Sequence, residues 1–174
     1  NKIRPGITND EMVQNLDFAQ TFLNAASIKV PKDMQGESLL PLLFENEKKW
    51  TREAVYYHYY EFPSVHMVKR HYGIITKEYK LVHYYYDIDE WEFLDRKADP
   101  NEMTNLYDDP KYQSIIQTMK KKLKKLRKKY NFRTEKSDSE LKNIYGEPLQ
   151  KCKTGDAPGS WDDEGYCSER GGGV

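Results

Sequence analysis

Cysteine is nearly absent from this 174-residue chain, with Cys152 and Cys167 as the whole thiol inventory. No CxxC pair exists, and fourteen residues separate the two. They suit a disulfide loop in an oxidising compartment or a free pair, because connectivity is not readable from spacing. Long apolar runs are also missing. None approaches the roughly 18 residues of a membrane span, and no segment resembles a signal peptide. Net charge is zero, 28 basic against 28 acidic residues, so no global field points to nucleic acid or to an anionic membrane. G-x-S-x-G, P-loop and HExxH motifs are absent as well. No self-contained catalytic centre can be assembled from what remains. The chain opens NKIRPG without Met and reads as the middle of something longer.

Aromatic residues, by contrast, are abundant and clustered. HMVKRHYGIITKEYKLVHYYYDIDEWEFLD, residues 66–95, holds three of the four histidines and three short apolar-aromatic runs, 71–76, 79–86 and 90–95. Two or three residues separate each pair of runs, the pattern of a tight antiparallel meander. Arg52–Tyr60 (REAVYYHYY) predicts one further strand, stopped at Phe62–Pro63. Upstream, Asp17 is placed as N-cap of a helix over 18–26 whose Phe18, Phe22, Leu23 and Ala26 form an apolar face. SLLPLL from Ser38 is a brief apolar turn held short by Pro41. Downstream, Asp99 and Glu102 have capping-box spacing with Pro100 at the first helical position. Asp109–Pro110 repeats that device and starts a long helix over 111–130, whose stripe of Tyr112, Ile115, Ile116, Met119, Leu123, Leu126 and Tyr130 can lie across the sheet.

The predicted fold class is therefore α+β: a four-stranded antiparallel sheet, one long C-terminal helix packed across it, and a flexible tail. Residues 1–50 read as linker and short helices, 51–130 as the folded subdomain, and 131–174 as the tail. That last stretch has too little apolar content to offset the entropy of ordering it.

His66 and His71 flank Lys69 and Arg70 at the entrance to the second predicted strand. Their i, i+5 spacing matches neither a helical nor a strand pair of metal ligands, and no complete donor set stands nearby. They are candidates for the mouth of a polar pocket, with Lys69 and Arg70 able to offset an anion; exposed loop residues without a role are the plain alternative. His58 and His83, inside strands, read as satisfied sheet residues. Adjacent tyrosines in a strand must face opposite ways, so at most half can serve any one pocket. The eight basic residues among 120–129 are a solvated helix face or, alternatively, a polyanion contact.

Three blocks carry a family resemblance: NDEMVQNLDFAQTFLNAASIKVPKDMQGESLLPLL, AVYYHYYEFPSVHMVKRHYGIITKEYKLVHYYYDIDEWEFLD and DPNEMTNLYDDP. Over residues 1–130 the chain resembles the C-terminal part of type I, formylglycine-dependent sulfatases of the N-acetylglucosamine-6-sulfatase and N-sulfoglucosamine sulfohydrolase kind. The resemblance implies an alkaline-phosphatase-like enzyme hydrolysing sulfate esters of glycans, secreted, periplasmic or lysosomal. It also implies a catalytic α/β domain, N-terminal to this chain, carrying formylglycine and calcium. No cofactor is expected in this chain itself, since neither cysteine stands in a C-x-P-S-R motif. The partners implied are a sulfated carbohydrate and that catalytic domain, with neither nucleic acid nor a membrane. The segment HMVKRHYG corresponds to one that shapes the substrate subsite, which makes His66 and His71 the substrate-binding candidates. Ile75 stands where the family commonly has Arg, and Gln20 where it commonly has Pro. A non-catalytic carbohydrate- or polyanion-binding module, or a degenerate fragment, is the alternative.

Overall fold

The computed structural model describes residues 3–44, 49–62, 68–86, 88–130 and 132. They form two compact units, residues 1–55 with 75–79, and residues 56–74 with those from 80 onwards. The predicted tail apart from Phe132, both cysteines and His66 lie outside the described residues.

In the first unit, α1 spans Asp17–Ala25, and its buried face is the reverse of the one expected. Asp17, Gln20 and Thr21 are buried, while Phe18 and Phe22 stay 53% and 69% exposed and stack on each other, rings 6.5 Å apart. Asp17 is the first helical residue rather than the cap; Leu16 stands at the cap without a side-chain bond. Backbone satisfaction explains the inversion. Positions 17, 20 and 21 share one helix face, and a loop runs along it. Glu37 N–H donates to Asp17 Oδ1 (2.8 Å) and Leu39 N–H to Thr21 Oγ1 (2.8 Å). Gly36 N–H donates to the Gln20 amide oxygen (2.7 Å), while the Gln20 amide nitrogen donates to the Leu16 carbonyl. A buried N–H left without an acceptor costs ~1–3 kcal/mol, so satisfying three of them weighs about as much as burying both phenylalanines at ~1.5–3 kcal/mol each. A Cβ at Gly36 would collide with the Leu16 carbonyl and lie 2.7 Å from the Gln20 amide. Only glycine lets the loop come so close to α1. The short helix α2, Leu40–Leu43, follows directly with Pro41 in its first turn and buries Leu42.

Asp17 is also half of a buried ion pair. Arg52 Nη1 and Nη2 donate to its two carboxylate oxygens at 2.5 and 2.7 Å, and Nη1 also reaches the Met12 carbonyl at 3.3 Å. This is why the first strand starts later than its composition predicts: Arg52 is recruited to Asp17, and pairing begins at Val55.

The strands are β1 (Val55–Tyr59), β2 (His71–Ile75), β3 (Tyr79–Tyr84) and β4 (Glu90–Asp95). They form one antiparallel sheet in the order β1-β2-β3-β4, as the meander pattern predicts. Beyond β4 the short turn expected to end near Leu106 does form, with Glu102 N–H on the Asp99 carbonyl at 3.1 Å, but the reciprocal capping box does not. The Asp99 carboxylate does accept from Met103 and Thr104 N–H. Glu102, however, sits at φ 55° and turns its carboxylate to Lys80 (2.6 Å) and Arg96 (3.1 Å), two cations that outcompete a return to the backbone. At the second Asp–Pro the prediction holds. Asp109 accepts from Lys111 N–H at 2.9 Å, a 3-10 turn covers Pro110–Tyr112, and α3 continues over Gln113–Lys129.

Helix α3 crosses the sheet of the second unit from β4 towards β1. Near its start Tyr112 packs on Phe93 (5.4 Å) and donates to Asp95 (3.2 Å). Midway, the Lys120 ammonium lies 4.2 Å above the Trp91 ring. Near its end Arg127 donates to Tyr72 Oη (2.9 Å), and Tyr130 stacks 6.3 Å from Tyr56. Ile116, Met119 and Leu123 of its stripe are buried, as are Ile74, Leu81 and Phe93 of the strands. By period-two alternation, Tyr56, His58, Tyr72, Ile74, Leu81, His83, Trp91 and Phe93 line the face under α3. Tyr57, Tyr59, His71, Gly73, Val82, Tyr84 and Glu92 line the face that α3 leaves.

Candidate functional site

His71, at the head of β2, belongs to the face that α3 leaves. Its Nδ1 lies 2.7 Å from the Lys69 carbonyl. A carbonyl can only accept, so Nδ1 carries the hydrogen, and in the neutral ring Nε2 is left with its lone pair. The imidazole is half-buried among three tyrosines. Tyr59 stacks on it at 5.4 Å and 21°, Tyr57 meets it edge-on at 5.6 Å, and Tyr84 lies tilted at 5.2 Å. Neighbours i and i+2 of β1 supply the first two, which the alternating Tyr56–Tyr60 run places on one face once the register is known. The Tyr59 hydroxyl is buried and has no hydrogen-bond partner among the described residues, an unusual state for a phenol.

Tyr57 owes its position to the adjacent glycine. A Cβ on Gly73 would lie 2.7 Å from the Leu81 carbonyl and 2.7 Å from the Tyr57 ring, so the missing side chain is the space that the ring fills. Burial, then the neighbouring Tyr84, Glu102 and Glu92, push the Tyr57 hydroxyl well above the usual phenol range. It therefore stays protonated and is a donor. At the rim Tyr84 donates to Glu92 (3.2 Å). Burial opposes the charge on Glu102, but its hydrogen bonds and ion pairs with Lys80 and Arg96 outweigh that and hold the carboxyl below the usual range.

Lys69 and Arg70 do not stand open at this edge as expected. Both are 2% exposed. The Lys69 ammonium lies 3.9 Å above the Phe62 ring, and Arg70 donates to the Phe62 carbonyl with its guanidinium 5.6 Å above the same ring. Phe62 thus gathers both cations, a cation–π arrangement that anchors the segment entering β2.

The two other histidines are occupied under α3. His58 bridges Tyr56 Oη (3.1 Å) and Tyr85 Oη (2.7 Å) and stacks on Tyr60 at 3.9 Å. Burial first, then the charges of Arg127 and His71, lower its pKa to about 4, so it is neutral near pH 7. His83 bridges Tyr72 Oη (2.8 Å) and Asp89 (2.7 Å) and stacks on Trp91 at 4.1 Å. Among the described residues no group of three or more His, Cys, Asp or Glu could hold a metal ion. These residues do not fit the calcium that the resemblance implies, and none is assigned to it.

Comparison with known proteins agrees with this architecture. The family model described as "N-sulphoglucosamine sulphohydrolase, C-terminal" matches residues 1–129. An N-acetylglucosamine-6-O-sulfatase of Bacteroides thetaiotaomicron is 49% identical over 132 residues, 74% of this chain and 23% of that protein. An arylsulfatase of Clostridium perfringens is 30% identical over 120 residues, 69% of this chain and 24% of that one. Among solved structures, one in complex with its substrate D-glucosamine-2-N,6-O-disulfate has a TM-score of 0.63 at 50% identity, covering 66% of this chain and 24% of that chain. A 2-O glycosaminoglycan sulfatase has 0.58 at 27% identity, with the same coverage. The chain spans about a quarter of the length of these relatives. It belongs to the family described as N-sulphoglucosamine sulphohydrolase, C-terminal.

Proposed function

We propose that this chain is the C-terminal portion of a sulfatase that hydrolyses sulfate esters of glycans, and that the sheet face at His71, opposite α3, forms part of its substrate-cleft wall. The reaction centre, with formylglycine and calcium, is proposed for polypeptide outside this chain. The partners in this reading are that catalytic domain and a sulfated sugar, in a periplasmic or extracellular setting. The 49% identity to an N-acetylglucosamine-6-O-sulfatase supports the reaction class. A single geometric observation supports the residue: the Lys69 carbonyl holds His71 Nδ1–H, which leaves Nε2 as the functional nitrogen. Neutral, Nε2 accepts from a sugar hydroxyl; protonated, it donates to a sulfate oxygen. His66 joins the proposal through the resemblance alone.

The domain limits belong to the same reading. Residues 1–50 would pack on the catalytic domain, residues 51–130 would form the sheet subdomain, and residues 131–174 would be a tail. The exposed Phe18–Phe22 pair supports the first of these. No helix of the described residues is long and apolar enough to cross a membrane.

The test is His71→Ala in the full-length protein. A hydrogen bond worth ~1.5–3 kcal/mol predicts a fall in kcat/KM of about ten-fold or more. His71→Gln, which keeps an acceptor near Nε2, should recover part of it. Unchanged kcat/KM in His71→Ala would make His71 structural and remove the site.

A further inference from the structure

The basic residues of α3 do not all have the same employment. Eight lie among 120–129, and no Asp or Glu stands anywhere in 113–129. Lys120 and Arg127 are turned to the sheet aromatics, and Lys129 lies 5.3 Å from the Tyr130 ring centre. Lys121, Lys124, Lys125 and Lys128 are exposed. Among the described residues none of these four is in an ion pair. Spacings of three and four put them on one face, over roughly 10 Å of helix at ~1.5 Å per residue. The helix macrodipole favours cations only in the last turn. It accounts for Lys128 and leaves Lys121, Lys124 and Lys125 unexplained. Like charges at these spacings disfavour the helix, a repulsion that a bound polyanion would relieve.

We infer that the outer face of α3, Lys121–Lys124–Lys125–Lys128, is a docking surface for a sulfated polysaccharide chain, apart from the His71 face. The choice of a sulfated glycan rests on the function proposed above. The surface itself favours it over nucleic acid. Its aromatic neighbours Tyr112 and Tyr130 pack on the sheet, so the outer face offers point charges and no base-stacking platform. With the whole chain neutral, no global field adds to the attraction of this stripe.

The experiment uses the full-length protein and its Lys121/Lys124/Lys125/Lys128→Gln variant, whose substitutions keep helix propensity and relieve like-charge repulsion against the loss of one favourable last-turn cation at Lys128, with the unfolding midpoint of the variant compared to that of the wild type. Immobilised heparin is the probe, with immobilised double-stranded DNA in parallel. Retention on heparin should drop in the variant, and the slope of log affinity against log salt should flatten by about one per lysine removed. The corresponding Lys→Arg variant should retain wild-type binding. Identical heparin elution of the wild type and the Gln variant would overturn the inference. So would stronger retention on DNA than on heparin at equal salt, which assigns the stripe to nucleic acid. Turnover separates this from the function it rests on. A sulfated monosaccharide should be desulfated equally by both proteins, and a long sulfated chain more slowly by the Gln variant. Equal rates on the long chain would overturn the docking surface. No turnover by the wild type would overturn the sulfatase reading, and heparin retention would still decide the stripe.

Discussion

The Asp17–Arg52 pair offers the sharpest test of how the first unit is held. Both side chains are buried, at 0% and 2% exposure, and the guanidinium grips the carboxylate through both terminal nitrogens. Arg52→Met removes both charge-assisted bonds and the one to the Met12 carbonyl. It leaves a buried carboxylate with only the Gln14 and Glu37 N–H groups. Breaking a buried pair in this one-sided way costs ~3–5 kcal/mol, a large part of the ~5–15 kcal/mol that stabilises an ordinary domain. Asp17→Asn strands the arginine instead and should cost a similar amount. The double variant removes both charges, so its cost should fall short of the sum by ~2 kcal/mol or more. The exposed pair Lys77–Glu11, at 2.8 Å, is an internal control, worth ~0.2–1 kcal/mol. Urea unfolding of the wild type, the two single variants, the double variant and a Lys77→Met control gives the energies, and hydrogen exchange at the Glu37 and Leu39 amides locates the damage. Single variants within 1 kcal/mol of wild type, or strictly additive costs, would refute the reasoning. The pH dependence has a defined sign. Burial alone would raise the Asp17 pKa, but the Arg52 bond, the two N–H groups and the Arg52 charge together lower it. The stabilisation is therefore complete above the usual value of 3.8 and is lost as pH falls below that through the folded value.

Other consequences are simpler to check. Gly73→Ala should lower the urea midpoint by an amount equivalent to ~1–3 kcal/mol, because the new methyl meets the Leu81 carbonyl and the Tyr57 ring; an unchanged midpoint would mean that the strands can part there at no cost. His58 carries its folded pKa down from 6.5 to about 4, so the unfolded chain takes up the proton first. Stability should be indifferent to His58 above pH 6.5 and fall between there and pH 4, by at most about 3 kcal/mol; His58→Gln should flatten that slope, and an equal slope in both proteins would contradict it. Phe18→Ser/Phe22→Ser should reduce binding of a hydrophobic dye by the 174-residue chain while leaving its unfolding midpoint within about 1 kcal/mol; a large loss of stability would show the pair packed inside the first unit.

The meander was legible because strand propensity, turn spacing and alternation agreed; β4 occupies the expected residues 90–95 and β2 ends one residue early. The long helix was legible for the same reason, with a stop signal before it and a regular stripe through it. What periodicity could not show was competition for the backbone. Phe18 and Phe22 have the spacing of a core face, yet the loop at Gly36–Leu39 claims the polar face of α1 through bonds between residues 16 to 20 apart in the chain. Glu102 has capping-box spacing, but Lys80 lies 22 residues upstream and is visible only in three dimensions. At the candidate site, sequence placed His71 at the right strand end. It did not reveal the Lys69 carbonyl that selects the tautomer, nor the burial of Lys69 and Arg70 against Phe62.

These departures share a physical cause with consequences for function. A helix whose polar side chains are committed to a neighbouring loop has only its apolar side to offer to anything else, and α1 presents Phe18 and Phe22 stacked and uncovered. The sheet behaves in a parallel way. Its α3 face satisfies His58 and His83 completely, each ring nitrogen bonded and each ring stacked. Its opposite face leaves the Tyr59 hydroxyl unpartnered among the described residues and sets His71 Nε2 free of the bond that holds Nδ1. Satisfied histidines are structural because no valence is left for a ligand. By the same criterion His71 alone of the described three retains one, and it does so on the face opposite α3.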